Sequence, residues 1–169
     1  MRKEGVTNHG TRGAIVFPVG DVYFGARVEE VAGLIEADRL AVLPRQHSAL
    51  AGVVAFRGGM IPAVDLCVVL DFEPPTPHGP RYGIVLARGA ERFALLVPAL
   101  PRLIPARELK EAEVSGGDTE LGSMIETVYR AGETDIHCLD YWSILESIAS
   151  PVGRERTGAK KVNGGSTHG

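Results

Sequence analysis

Two stretches of the chain repeat the same apolar pattern, and this repeat limits the folds available to it. Residues 24–35 align without a gap with residues 93–104, which pairs Val28 with Val97, Val31 with Leu100, Leu34 with Leu103 and Ile35 with Ile104. A second match follows in order, Phe56-Arg57-Gly58-Gly59 before Asp65 and Tyr129-Arg130-Ala131-Gly132 before Asp140. The period of roughly 70 residues is longer than that of a solenoid repeat. We therefore expect two pseudo-symmetric small barrels side by side.

Short segments with the residue pattern of β-strands dominate the sequence between the two ends of the chain. Each is bounded by Gly, Pro or charged turn residues, and there is little helical periodicity. The predicted strands are residues 14–19, 22–28, 31–36, 53–57, 60–64, 82–88, 92–97, 100–104, 124–130 and 134–139. The sequence therefore predicts an all-β fold.

Two short helices are expected to begin after Asp65 and Asp140, because each Asp precedes an apolar run and can cap free N–H groups. A weaker, mostly charged helix is expected over residues 106–113. The proline-rich segment 72–80 reads as a stiff connector that divides the chain into halves.

Composition separates a folded part from two tails. Residues 1–11 and 151–169 lack apolar periodicity and are predicted to be flexible tails, the second one basic, around a single domain over residues 12–150. The net charge is −3, but residues 1–12 carry +2 and residues 151–169 carry +3, which leaves −8 for the remainder. An acidic body argues against nucleic-acid binding, because phosphate neutralisation dominates that affinity.

No segment suggests a membrane span or a secretory signal, so a cytoplasmic location with no membrane insertion is expected. The five histidines are scattered, and neither Cys67 nor Cys138 lies in a CxxC motif, so no metal site, cofactor or enzymatic activity is expected. The adjacent Glu29 and Glu30 are interpreted as solvated turn residues. Arg57 is different, because it ends an apolar strand before Gly58-Gly59, a turn pair that would hold its guanidinium at an exposed rim. From the spacing alone, it is either a partner contact or a solubilising turn charge.

The text from Phe24 through Leu70 resembles the CheW domain, the bacterial chemotaxis coupling module. The pattern Gly-Val-x-x-x-Arg-Gly-x-x-x-Pro-x-x-Asp-Leu occurs from Gly52 to Leu66, after Leu43-Pro44. The similarity continues more weakly through residues 82–104 and the closing Leu139-Asp140. It implies two SH3-like five-stranded barrels and a non-catalytic adaptor that bridges chemoreceptor cytoplasmic tips and a CheA-type histidine kinase, at chemoreceptor arrays. Other CheW-like domains are further partners that the resemblance allows.

The resemblance also implies contact residues. Val31 and Gly52 match positions that bind the regulatory domain of the kinase, and Arg57, Leu100 and Leu103 match positions that bind the receptor or line the groove between barrels. From the residues alone, Val31, Leu100 and Leu103 could equally be core, and Gly52 a bend.

Three departures from the family pattern remove polar groups. The family usually has an acidic residue at Gly33, Asn at Ala55 and Asp at Pro98, and each missing hydrogen bond costs about 0.5–1.5 kcal/mol. These losses favour a divergent or accessory member that keeps the receptor and binds kinase weakly. The alternative is a small-barrel module that binds a ligand or nucleic acid, and a hydrolase that uses Asp65 or Asp140 has no positive support.

Overall fold

The computed structural model describes residues 11–42, 44, 47–74, 81–115 and 118–149. Nearly all of the two predicted tails and most of the proline-rich connector lie outside the described residues. Thr11, placed in the first tail by the sequence, is buried, and its hydroxyl donates to the Gly13 carbonyl at 2.9 Å. No described helix is both long and apolar enough to cross a membrane.

Eleven strands and three short helices make up the described part of the chain. The strands are β1 Gly13–Val19, β2 Val22–Arg27, β3 Val31–Glu36, β4 Leu50–Phe56, β5 Gly59–Asp65, β6 Tyr82–Arg88, β7 Glu91–Val97, β8 Arg102–Pro105, β9 Lys110–Ala112, β10 Ile125–Ala131 and β11 Thr134–Leu139. The helices are α1 Leu66–Val69, α2 Glu120–Met124 and α3 Tyr141–Ala149. Single 3-10 turns cover Val28–Glu30 and Ala106–Glu108.

The strands form two sheets, which confirms the all-β, pseudo-symmetric, two-barrel prediction. One sheet has the order β8-β1-β2-β11-β10-β9 and the other has the order β3-β6-β7-β5-β4. The two orders correspond strand by strand. The strands β3, β6, β7, β5 and β4 match β8, β1, β2, β11 and β10, and β9 is the additional strand of the six-stranded sheet. The repeat read from the sequence is therefore a repeat of strand topology.

The two halves of the chain do not each build one barrel, and the connector at residues 72–80 lies between the two repeats rather than between the two sheets. Each half places its first two strands in one sheet and its remaining strands, three in the first half and four in the second, in the other. The 3-10 turn Val28–Glu30 carries the chain from β2 in the six-stranded sheet to β3 in the five-stranded one. The connector instead joins α1 to β6, and both β5 and β6 belong to the five-stranded sheet.

Each sheet contains one parallel strand pair that joins strands from different halves of the chain. The two pairs have equivalent registers. β5 pairs with β7 so that Ala63 lies opposite Ala94, and β11 pairs with β2 so that Cys138 lies opposite Gly25. The remaining pairs are antiparallel, and β4 and β10 carry register shifts at equivalent points, between Leu50 and Gly52 and between Ile125 and Thr127.

One apolar cluster holds the two sheets together. It takes Phe17 and Phe24 from the six-stranded sheet and Phe93 and Leu95 from the five-stranded sheet, all of them buried. Trp142 of α3 meets the Phe93 ring edge-on, with a centroid distance of 5.0 Å. Because both sheets contribute to a single core, they are held in a fixed relation to each other.

The two predicted helix caps are present, with different surroundings. The Asp65 carboxylate accepts from the Cys67 N–H at 3.0 Å and forms an ion pair with Arg81 at 3.0 Å. The exposed Asp140 carboxylate accepts from the Ser143 N–H at 3.1 Å. Asp65 is therefore a buried cap with a charged partner, and Asp140 is a solvated one.

Sequence reasoning was wrong over residues 106–113 and missed one helix. Only Ala106–Glu108 is helical, as a 3-10 turn, because buried Leu109 anchors the chain and the next residues pair with β10 as β9. This extra edge strand gives one sheet six strands, where five were expected. The missed helix, α2, is capped by Thr119, whose hydroxyl accepts from the Gly122 N–H at 2.8 Å.

The two caps predict unequal losses of stability. Asp65→Ala removes the cap and leaves the Arg81 guanidinium without its carboxylate, so we expect the free energy of unfolding to fall by about 2–4 kcal/mol. Asp140→Ala removes an exposed cap at the repeat-equivalent position and should cost about 1 kcal/mol. Urea unfolding of both variants measures the difference, and equal losses would contradict it.

Candidate partner-binding site

Arg57 occupies the β4–β5 turn in a conformation that few non-glycine residues adopt. Arg57 has φ +49° and Gly58 has φ +83°, while Phe56 pairs with Gly59 on the flanking strands. A two-residue hairpin turn of this kind needs positive φ at both central positions, and Arg57 and Gly58 meet this requirement. The turn residues are therefore Arg57-Gly58, and the expected turn pair Gly58-Gly59 is wrong. The sequence was right that Arg57 lies at an exposed rim.

The Arg57 side chain folds back over β3. Its guanidinium donates to the Ala32 carbonyl at 3.1 Å and lies 4.9 Å from the centre of the Phe56 ring. None of its contacts among the described residues is with a carboxylate. The positive charge is therefore held in place and remains available to a partner.

The Phe56 ring occupies the space beside Gly33, where the resemblance leads us to expect an acidic side chain. A Cβ built on Gly33 would come within 3.0 Å of the ring, closer than ordinary contact. An acidic residue at 33 would therefore require the ring to move. Ala55 is exposed on β4, and Pro98 is half-buried just after β7. Neither side chain can donate or accept a hydrogen bond, so neither supplies the polar contact expected at its position.

Val31 and Gly52 lie on β3 and β4 of the same sheet as Arg57. Val31 is half-buried, opposite Leu86, and packs against the core. Gly52 has φ +153°, and a Cβ there would come within 2.6 Å of the Ala41 carbonyl oxygen. Gly52 therefore has a structural role, because it lets the segment at Ala41 approach β4 and exchange two hydrogen bonds with Val53.

Leu100 and Leu103 belong to the other sheet region and are not core residues. Leu100 precedes β8 and is 69% exposed, and Leu103 on β8 is 58% exposed. The structure places them at a different sheet from β4 and β5, which flank Arg57. Their exposure leaves them free to contact another molecule.

Three further surface residues were missed by the sequence reading. Leu34 on β3 is 49% exposed, Met60 on β5 is also exposed, and Phe56 supports Arg57. Leu34 was detectable, because the repeat already pairs it with Leu103. Met60 and Phe56 had no such signal, since their apolar character is equally typical of core.

The groups that could support catalysis are occupied or buried. Glu29 and Glu30 lie in the turn where the sequence placed them, with Glu29 exposed and Glu30 half-buried; Glu29 also accepts from the Arg12 N–H, and Arg27 donates to Glu30 at 2.7 and 3.0 Å. Burial raises the pKa of the Cys67 thiol to about 11 and that of Cys138 to about 12, which keeps both neutral. Among the described residues, no group of three His, Cys, Asp or Glu side chains could hold a metal ion.

Comparison with known proteins identifies the family. The sequence model of the CheW-like domain matches residues 13–149. The chain belongs to the CheW-like domain family. This family consists of non-catalytic scaffold proteins of chemotaxis, which confirms the predictions of an adaptor and of a protein that is not an enzyme.

Individual relatives agree with this assignment. The chain is similar to a probable chemotaxis protein CheW of Rhizobium etli, with 25% identity over 126 residues, covering 74% of this chain and 78% of that protein. It is 29% identical over 136 residues to the protein FrzA of Myxococcus xanthus, covering 78% and 83% of the two chains. The crystal structure of the scaffolding protein TtCheW from Thermoanaerobacter tengcongensis shares the fold, with a TM-score of 0.62 at 16% identity, over 78% of this chain and 86% of that one.

A pair of glycine substitutions separates backbone strain from close packing at Gly52. Gly58→Ala places a side chain at positive φ in open space and should cost about 1 kcal/mol. Gly52→Ala adds a clash with the Ala41 carbonyl and should cost about 2–3 kcal/mol. Thermal unfolding of both variants checks this, and a Gly52 variant no less stable than the Gly58 variant would disprove the packing role.

Proposed function

We propose that this chain bridges a CheA-type histidine kinase and the cytoplasmic tip of a chemoreceptor in a chemosensory array. The observation that carries the proposal is the presence of one exposed leucine at equivalent positions on the edge strands of both sheets, Leu34 on β3 and Leu103 on β8. An edge strand offers unpaired backbone groups together with its side chains, and strand or helix docking uses such edges. A protein with two docking edges of the same construction suits a bridge.

Val31 and Gly52 are proposed as kinase contacts, and Arg57, Leu100 and Leu103 as receptor contacts. The half-buried Val31 and the close approach of Ala41 at Gly52 shape a fixed surface on the five-stranded sheet, which suits a folded barrel domain. Leu100 and Leu103 give an apolar surface on the other sheet, which suits the apolar stripe of a receptor helical hairpin. Arg57 shares a sheet with Val31, so its contribution is to be measured with both partners.

The bridging mechanism is mutual positioning. Because one core joins the sheets, a kinase domain bound to one and a receptor bound to the other keep a fixed relative orientation. A conformational bias in the receptor can then reach the kinase through packed interfaces. No covalent chemistry is involved, and the cytoplasmic side of the membrane, at the receptor array, is the location this role implies.

The missing polar groups at Gly33, Ala55 and Pro98 support an accessory role with weakened kinase binding. Two or three lost hydrogen bonds of about 0.5–1.5 kcal/mol each would reduce affinity by more than tenfold. None of these departures replaces Leu100 or Leu103 itself. The chain would then remain attached to receptors while recruiting kinase poorly.

Calorimetric titration with a receptor cytoplasmic fragment and, separately, with the kinase regulatory domain tests the bridge. We expect micromolar receptor binding, reduced about tenfold by Leu103→Ala and by Arg57→Ala, because isolated anchors dominate small interfaces. Arg107→Ala, at another exposed arginine, is the matched control and should change nothing. Binding to neither partner would refute the proposal, and submicromolar kinase binding would refute the weakened-kinase part alone.

Ala55→Asn should restore part of the kinase affinity. The position is exposed on β4, so an amide can be added without burying an unsatisfied polar group. We expect kinase affinity to rise about threefold to tenfold and receptor affinity to stay constant. Ala55→Ser, which adds a shorter polar group, is the control, and an equal gain in both variants would argue against a specific amide contact.

A further inference from the structure

The pseudo-symmetry of the fold fails most clearly at the helices that follow Asp65 and Asp140. In the first repeat α1 has four residues, and in the second α3 has nine. The first helix ends because Asp71 takes φ +55°, which turns the chain away. The two repeats therefore present different surfaces at the same place.

In the second repeat, α3 covers the β6–β7 hairpin. Trp142 meets Phe93 of that hairpin edge-on at 5.0 Å, and the Arg88 guanidinium lies 4.4 Å above the Trp142 ring. Arg88 also reaches Glu146 on the helix at 3.6 Å. Apolar contacts and ion pairs at the rim thus hold a helix over the hairpin.

In the first repeat, the shorter α1 and Phe72, which lies against the β1–β2 turn at Gly20, leave an open groove of about 550 Å³ between the β1–β2 hairpin, α1 with the residues after it, and α2. Phe24, the counterpart of Phe93 in the repeat, contributes to its wall. The side chains that line the groove are Val19, Val22, Phe24, Val69, Leu70, Asp71, Phe72, Glu120, Leu121 and Met124. The volume falls within the range of roughly 300–1,000 Å³ usual for binding clefts.

The charges around this groove differ from those at the covered hairpin. Val19 and Val22 stand where the second repeat has Arg88 and Glu91, so the hairpin wall is apolar. The only charged lining residues are Asp71 and Glu120, and their carboxylates form no ion pair with any residue that the structure describes. The groove therefore selects an apolar occupant with positive charge at its margins.

We propose that this groove, called here the α1–α2 groove, binds an amphipathic helix of a partner protein, with Leu- or Ile-type residues on one face and Lys or Arg beside them. A helix is the expected occupant because α3 runs five residues beyond the length of α1 and covers the equivalent hairpin in the second repeat. The basic flank follows from Asp71 and Glu120. Residues 150–169 of this chain are a poorer candidate, because their apolar side chains are confined to Val152, Ala159 and Val162, interspersed with five glycines.

The α1–α2 groove is separate from the surfaces assigned to kinase and receptor. It is built from β1, β2, α1, α2 and the residues just after α1, and none of these elements contains Val31, Gly52, Arg57, Leu100 or Leu103. The inference therefore goes beyond the proposed function, and loss of one would leave the other standing.

Binding of a designed peptide tests the groove with the full-length protein. The probe is a fluorescein-labelled peptide of about 16 residues with leucines at i, i+3, i+4 and i+7 and lysines at the flanking positions. We expect a dissociation constant on the order of 10 μM, and at least tenfold weaker binding when the lysines are replaced by glutamates. The methyl resonances of Val22, Leu121 and Met124 should shift on binding, and those of Leu103 should not.

The double variant Asp71→Asn/Glu120→Gln removes both charges with little change of shape, and Asn tolerates positive φ. It should weaken binding of the lysine peptide about tenfold. Glu146→Gln, at the counterpart of Asp71 in the second repeat, is the matched control and should leave binding unchanged.

Three results would overturn the inference. The first is no binding of the lysine peptide at millimolar concentration, or binding indifferent to the double variant. The second is tighter binding by a synthetic peptide of residues 150–169, which would make this chain its own occupant. The third is binding of an apolar dye that the lysine peptide does not displace, which would make the groove a small-molecule cleft.

Discussion

Each of the two sheets depends on a parallel strand pair whose members come from different halves of the chain. β5 pairs with β7 and β11 pairs with β2, so neither sheet is complete until residues far apart in sequence have met. The shared core, with Phe24 from one sheet and Phe93 from the other, then fixes the sheets against each other. Long-range pairing of this kind makes the two barrels one cooperative unit. The rigidity that a scaffold requires is thus a result of the strand exchange.

The repeat supplies the framework, and departures from it supply the specific surfaces. Leu34 and Leu103 preserve the symmetry and stay exposed on both edges. The Arg57-Gly58 turn has a counterpart of opposite charge, since Gly132 and Glu133 join β10 to β11. The short helix α1 likewise has a longer counterpart in α3. A symmetric fold with asymmetric turns and helices can therefore hold different partners in one fixed arrangement.

Much of the framework could be predicted because the relevant signals are local. The Gly52–Leu66 pattern identified the family, and the two Asp caps were predicted, while the repeat paired Leu34 with Leu103 without showing that Leu34 is exposed. What could not be predicted depends on contacts between distant segments. The Phe56 ring fills the space beside Gly33 because the five-stranded sheet curls round and brings its two edge strands, β3 and β4, close together, and β9 is a strand only because β10 offers it an edge. A mostly charged segment such as residues 106–113 has no apolar periodicity that could distinguish a helix from an edge strand.

The sequence by itself determined that the chain is a twofold repeat of short strands, with a capped helix closing each repeat and an arginine at a tight turn. Strand period, turn residues and caps act within a few neighbouring residues, so they can be read directly. Only the tertiary structure decided which sheet each strand joins and which leucines face solvent. It also decided that the Arg57 guanidinium contacts the Ala32 carbonyl and the Phe56 ring. Sheet membership and exposure depend on which distant segments pack together. An apolar strand residue has the same local sequence pattern whether it lies in the core or on an exposed edge.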